Sequence, residues 1–224
     1  MARISVIGTG YLGVTHAACM ASLGHDVVAL DVDEAKVTSL AAGKVPFHEP
    51  GLPELLQESL AAGKIKFTTS WVDLAAQADV HFLCVGTPQS PESPAADLSQ
   101  IQSAIRSLAP LLTKPCLIVG KSTVPVGTAQ WISDYLVANS PAGNDVHLVW
   151  NLEFLRQGFA VQDTLHPDRI VLGIKNEADV ATLTDIYATA LSDETPLVVT
   201  DYATAELVKV AANAFLATKI SFIN

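Results

Sequence analysis

A chain of 224 residues that is 50% hydrophobic and 16% charged has enough apolar surface to bury a substantial core, which excludes a disordered or low-complexity polymer. Its 23 acidic side chains against 13 basic ones give a net charge of −10, which excludes non-specific binding to nucleic acid, since that requires a basic face. No run approaches the ~18 uninterrupted apolar residues of a membrane span, and glycines interrupt the apolar N-terminus where a secretory leader would continue, so the expected compartment is the cytoplasm.

The first elements read in the order strand, Gly-rich turn, helix, strand, acid. An apolar run from Arg3 ends at Gly8, a helical pattern opens near Tyr11, and the apolar run over 27–30 delivers Asp31. Within Gly8-Thr9-Gly10-Tyr11-Leu12-Gly13, Gly8 permits a tight turn, Gly10 lets the backbone approach a pyrophosphate, and Gly13 lets the helix pack close to the sheet. The N-terminus of that helix offers free N–H groups and a partial positive charge to phosphates. Asp31 is placed to accept hydrogen bonds from adenosine ribose hydroxyls, which favours NAD over its 2′-phosphorylated counterpart. Glycine spacing alone is weak; with a strand before, a helix after and an acid at the right distance it predicts a dinucleotide site.

The alternation continues along the chain. The pattern predicts helices over 34–40 and 53–62 around a Pro/Gly-punctuated loop at 44–52, then a strand at 64–68 and a helix at 71–76. A buried parallel-type strand over 80–85, apolar apart from His81, leads into a Pro- and Ser-rich loop at 86–94. A helix over 97–111, a strand at 116–120, a helix over 127–138 and a strand at 146–150 follow. Beyond them come a strand at 169–174, a helix over 177–191, a strand at 197–200 and a long helix from 203. The fold class is therefore α/β, a doubly wound, Rossmann-like parallel sheet with flanking helices and a long C-terminal helix. A cofactor domain at 1–200 and a connecting helix at 201–224 are the expected division.

Ligands of such sheets bind at the carboxyl ends of the strands, and chemistry-bearing residues collect there. Thr87 follows the strand at 80–85, Lys121-Ser122-Thr123 the strand at 116–120, and Asn151-Leu152-Glu153 the strand at 146–150. On the last helix Lys209 and Asn213 lie four apart and share a face, and Asn213 stands among alanines and Phe215, where a buried amide would need a partner. That helix is apolar on more than one side, which predicts packing against further polypeptide or a second copy. The three cysteines, Cys19, Cys84 and Cys116, lie in apolar runs without metal-ligand spacing and read as buried thiols.

In these blocks the chain resembles the UDP-glucose/GDP-mannose dehydrogenase family over essentially its whole length. The resemblance rests on the glycine fingerprint, Glu49-Pro50-Gly51-Leu52, Cys84-Val85-Gly86-Thr87-Pro88, the segment from Lys121 to Thr128, Glu153-Phe154-Leu155-Arg156, His166-Pro167-Asp168-Arg169, and Ala205-Glu206-Leu207-Val208-Lys209 followed by Asn213. It implies oxidation of the C6 alcohol of a nucleotide sugar to a carboxylate with two NAD, through an enzyme-bound thiohemiacetal and thioester. It implies cofactor contacts for Gly8, Gly10, Tyr11, Leu12, Gly13, Asp31, Lys36, Thr87 and Thr123. The sugar side falls to Glu153, Lys209 and Asn213, with Glu153 activating water, Lys209 and Asn213 stabilising oxyanions and Thr123 holding or relaying to a water. A UDP-sugar is the expected substrate, with GDP-mannose and UDP-N-acetylmannosamine as alternatives, and a homodimer or higher oligomer is the expected assembly.

The sequence departs from the family pattern at Leu152, where the family has Pro, and at Gln157, where it has a second Glu. The family's catalytic cysteine has no counterpart in the chain, so the covalent chemistry is expected to lie in sequence beyond Asn224. A non-catalytic NAD-binding or interaction module is the reading from another class, and a dehydrogenase of small hydroxyacids is a third.

Overall fold

A computed structural model describes residues 1–223. Its centre is an eight-stranded sheet in the order β3-β2-β1-β4-β5-β6-β7-β8. The strands are β1 (Arg3–Ile7), β2 (Asp26–Leu30), β3 (Ile65–Thr68), β4 (Val80–Leu83), β5 (Cys116–Gly120), β6 (Val146–Trp150), β7 (Ile170–Gly173) and β8 (Leu197–Thr200). The chain winds outward from β1 to β3 and then crosses back to β4, so β1 and β4 flank the point where the winding direction reverses. Their carboxyl ends splay the two following turns apart and open a crevice.

Helices α1 (Tyr11–Ser22), α2 (Glu34–Ala41) and α3 (Leu52–Ala61) lie in the first half of the chain, followed by α4 (Trp71–Gln77), α5 (Ser99–Leu108) and α6 (Thr128–Asn139). The second half adds α7 (Ala160–Leu165), α8 (Ala178–Ile186), α9 (Ala188–Ser192) and α10 (Tyr202–Ile223). Two apolar layers result, one on each face of the sheet. Val14, Ala18, Leu52, Leu56 and Leu183 pack with Ile4, Val6 and Phe82 on one side; Ile101, Ile105, Ile132 and Leu136 pack with Ile7, Ile118 and Trp150 on the other. The polar residue in β4 is held on one side by the neighbouring strand: His81 Nδ1 and Ser5 Oγ share a 2.7 Å hydrogen bond, Nε2 is buried without a partner, and burial lowers the imidazole to about 4, so it is neutral.

Three features differ from the periodicity reading. The connection from β6 to β7 stays on the carboxyl rim instead of crossing the sheet, so β7 pairs antiparallel to β6 through Trp150 and Gly173. That returning segment contains α7, which the sequence pattern does not mark. The predicted helix over 177–191 breaks at Tyr187, whose hydroxyl turns inward to donate to Asn151 Oδ1 at 2.7 Å.

Candidate functional site

At the β1–α1 turn, steric fit explains the glycines. Gly8 has φ of +91°, and a Cβ there would sit 3.0 Å from Val85; a Cβ on Gly13 would lie 1.8 Å from the Gly8 carbonyl oxygen, so only glycine lets α1 approach the turn. Gly10 is different, since a Cβ there would meet nothing within 4 Å. Its open side faces a cleft of about 740 Å³ that Gly8, Asp31, Lys36, Trp71 and Ser99 also line. Helix α1 begins at Gly10 with no side-chain cap and no acid in its first turn, leaving its N-terminal N–H groups free for an anion. These residues fit a dinucleotide: an uncapped helix end, a backbone without a side chain in the way, and an acid at the next strand end.

Asp31 is buried at the end of β2 and already held from several sides. Its Oδ2 accepts from Thr9 N at 2.9 Å, Thr9 Oγ1 at 2.7 Å and Lys36 Nζ at 2.9 Å, whereas Oδ1 accepts from Asp33 N at 3.1 Å. Burial pushes this carboxyl up, but the bonds from Lys36, Thr9 and Asp33 outweigh it and hold it at about 2. Oδ2 is saturated by three donors, so Oδ1 is the oxygen with capacity for a ribose hydroxyl. Lys36 approaches the cleft through Asp31.

On the other side of α1, Leu12 and His16 border a small cavity of about 50 Å³ with Lys121, Asn151, Glu153 and Arg169. Glu153 Oε1 lies 3.2 Å from Lys209 Nζ, and Oε2 accepts from Leu155 N at 2.6 Å. Phe154 is flanked by two cations, Arg169 at 5.0 Å and Lys209 at 5.3 Å from the ring centre. Lys121 is buried and donates to Asn151 Oδ1 at 3.0 Å and to Tyr187 Oη at 3.4 Å; burial holds its ammonium below the usual lysine range. Asn151 Nδ2 in turn donates to Val171 O at 3.0 Å. The loops after β4 and β5 are tied together where Thr87 Oγ1 donates to Thr123 O at 2.7 Å.

The structure therefore gathers Gly8, Gly10, Asp31 and Lys36 around one cleft, joins Thr87 to Thr123, and brings Glu153 to Lys209. Leu12 lies on the Glu153 side instead of in the cleft, and the Tyr11 hydroxyl is engaged with Glu49. Asn213 is not brought to Glu153: from Val210 onward every described residue of α10 is exposed, so the amide needs no buried partner in this chain. Two carboxylates that the sequence marks only as parts of motifs turn out to be structural keystones. Glu206 accepts from Gly127 N at 2.7 Å and Ala129 N at 2.6 Å, docking α10 onto the start of α6, and Glu49 gathers donors from two other elements. The one signal for Glu206 is a carboxylate embedded in an Ala/Leu/Val run. Burial pushes the thiols of Cys19 and Cys84 up to about 12 and that of Cys116 up to about 11, which disfavours the nucleophilic thiolate.

Comparison with known proteins matches this geometry to a lineage. A family model described as the NAD binding domain of the UDP-glucose/GDP-mannose dehydrogenase family matches residues 2–191. The chain belongs to that family. The matching model is that of an NAD-binding domain, so NAD is the cofactor. Among relatives of this family, UDP-glucose 6-dehydrogenase of Rhizobium meliloti is 42% identical over 224 residues, covering 99% of this chain and 51% of the relative. A UDP-glucose dehydrogenase structure from Pyrobaculum islandicum superposes with a TM-score of 0.94 at 40% identity, covering 100% of this chain and 52% of that one. A GDP-mannose dehydrogenase ternary complex from Pseudomonas aeruginosa gives 0.93 at 31% identity, covering 98% and 51%. The chain thus spans about half the length of the relatives it matches. Among the described residues, no helix is long and apolar enough to cross a membrane.

Proposed function

We propose that this chain is the cofactor-binding half of a cytoplasmic nucleotide-sugar dehydrogenase that oxidises UDP-glucose to UDP-glucuronate in two NAD-dependent steps through a cysteine thioester, the cysteine being supplied by sequence outside the chain. The observation that carries the reading is the Glu153–Lys209 pair at 3.2 Å, formed from a loop after β6 and a helix far along the chain, on the rim that also holds the cofactor turn. A module that only sensed NAD would have no use for a carboxylate and an ammonium brought together there.

In this reading the α1 N-terminus and Gly10 take the pyrophosphate, and Asp31 Oδ1 accepts from the adenosine ribose. Bound NAD supplies the hydride acceptor. Thr87 and Thr123 border the nicotinamide end. Glu153 takes a proton from the water that opens the thioester, while Lys209, with Asn213 once α10 is covered, stabilises oxygen as it becomes anionic. Resemblance to UDP-glucose enzymes at 42% and 40% identity, against 31% for the GDP-mannose enzyme, supports UDP-glucose as the sugar nucleotide.

The test is calorimetry with NAD followed by NAD reduction with UDP-glucose, GDP-mannose and UDP-N-acetylmannosamine. The chain should bind NAD and reduce none of it alone; joined to a cysteine-bearing second half, it should turn over UDP-glucose fastest. Turnover by the chain alone would overturn the thioester assignment.

A further inference from the structure

Glu49 sits in the Pro/Gly loop ahead of α3, yet it is only 1% exposed. Its Oε1 accepts from Ala160 N at 2.7 Å and Val161 N at 3.4 Å, and its Oε2 from Gly158 N at 2.9 Å and from the Tyr11 hydroxyl. Gly158 N also lies 3.2 Å from the Tyr11 hydroxyl oxygen. Donors from the first turn of α1 and from the start of α7 thus converge on one buried carboxylate. Burial alone would raise its pKa, but these bonds outweigh it and hold it below the ordinary glutamate value.

The segment between β6 and α7 has no regular structure, so its shape is set by ties at its two ends and by the Glu153–Lys209 pair between them. At the first end, Asn151 is tied to β7 and to Lys121 and Tyr187. At the far end, Arg156 is tied only within the segment's own neighbourhood, to Asp163, and Gly158 is tied to Glu49. Glu153 lies between those ends. Helix α7 has Phe159 at its N-cap with no side-chain bond of its own. A Ser or Asp at that position would satisfy the amides locally, without burying a carboxylate from a distant loop. A local cap would do nothing to tie α7 to Tyr11, the first residue of the cofactor helix.

We propose that Glu49 is a positioning residue: it fixes the far end of the Glu153 segment to the first turn of α1, and so sets where Glu153 stands relative to the cofactor. This rests on the reading of Glu153 and the Gly8–Gly13 turn as parts of one site. Glu49 touches Tyr11 and backbone amides, and acts on Glu153 through them.

Amide hydrogen exchange of the full chain, with Glu49→Gln and Tyr11→Phe, tests it. In Glu49→Gln the protection of Gly158, Ala160 and Val161 should fall at least tenfold while sheet amides such as Val6 and Val119 stay within threefold. The deciding probe is the Leu155 amide, which bonds to Glu153 and makes no contact with Glu49; it should lose protection as well, by threefold or more. The Tyr11 phenol, which burial and Glu49 push up to about 12, should titrate closer to an ordinary tyrosine in Glu49→Gln. Tyr11→Phe should loosen the same amides to a smaller degree, and the double variant should be no looser than Glu49→Gln, as coupled groups behave. Tyr11→Phe alone, read at the Leu155 amide, decides the matter if Glu49→Gln does not fold. Loss of protection confined to 158–161, with Leu155 unchanged, would reduce Glu49 to a helix cap and overturn the proposal. NAD binding measured in parallel keeps the two ideas apart: failure of the unsubstituted chain to bind NAD sinks the cofactor reading and this proposal with it, whereas an unmoved Leu155 in a chain that binds NAD sinks the positioning role alone.

Discussion

The two sides of the site are built in opposite ways. Around Asp31 everything is local: the turn, the helix end, the acid and its partners Thr9, Asp33 and Lys36 all come from one βαβ unit and the start of α2. Around Glu153 only the Leu155 amide is local: the carboxylate is paired by α10, its segment is fixed by Lys121, Tyr187 and Glu49, and α10 itself is docked by Glu206. A local site is set by backbone sterics and fails when the turn fails. A distributed site is set by buried polar contacts, and it can loosen while the fold survives.

The largest expected effect is at the turn itself. In Gly13→Ala the new methyl must sit 1.8 Å from the Gly8 carbonyl oxygen, so α1 and the turn must separate. A loss of roughly 3 kcal/mol or more in stability is expected, together with loss of NAD binding. Thermal melting and calorimetry read both. A variant that melts normally and binds NAD would break the claim that this side is set by backbone sterics.

Next in size is Asp31→Ala, which removes the buried carboxylate at the end of β2 and releases Thr9, Asp33 and Lys36. With charged hydrogen bonds contributing about 1.5–3 kcal/mol, NAD affinity should fall roughly ten- to a hundredfold. The Glu153 side should be untouched, so Leu155 amide exchange should not change. Loss of protection there would show that the two sides are less separate than their bonding suggests.

Acid titration gives a smaller effect with a defined sign. Asp31 titrates at about 2 in the folded chain, below an ordinary aspartate, so its ionised form stabilises the fold at neutral pH. That contribution, about 2 kcal/mol, is present above pH ~4 and disappears as pH falls through ~2. Glu206 runs the other way: burial raises its carboxyl despite the amides of Ala129 and Gly127, so its contribution is present at low pH and is lost as pH rises through its folded value. Between pH 4 and 2 unfolding should therefore steepen in the original chain and flatten in Asp31→Asn. An identical acid limb in both would remove Asp31 as a source of stability.

The same contrast explains what could be read from the sequence. The Gly8–Gly13 turn, Asp31 at the end of β2 and most of the strand-helix alternation follow from spacing within short windows, and the structure has these elements in that order. Glu153 and Lys209 were visible as residue types at strand and helix positions, but their 3.2 Å pairing depends on α10 folding back across the rim. Glu49 gave no sign of its role, because a Glu in a Pro/Gly loop is ordinarily solvated and the amides it satisfies are far away in the chain. Helix α7 carries no local signal for the same reason, its cap being tertiary, and the break at Tyr187 reflects a buried hydroxyl that helical periodicity does not encode. The reversal of β7 follows from a connection that stays on one rim, which composition does not reveal.

The smallest effect on the cofactor site, and the sharpest separation of the two sides, is expected from α10. Beyond Lys209 its residues are exposed, with Phe215 at 68% and Phe222 at 90%, and the edge strand β8 adds exposed Val198 and Val199. Apolar side chains spread around a helix are stable in water only when something covers them, and a second copy of this chain offers an identical face. The chain should therefore self-associate as its concentration rises, detectable by sedimentation or light scattering. Phe215→Ser and Phe222→Ser should each weaken that association by about tenfold, in line with the burial of part of a phenyl ring. NAD affinity should stay within twofold, because every donor to the Asp31 carboxylate comes from the first βαβ unit and the start of α2. A chain that remains monomeric at high concentration would remove the expectation of self-association, while a fall in NAD affinity on changing Phe222 would mean that the distributed side reaches into the local one.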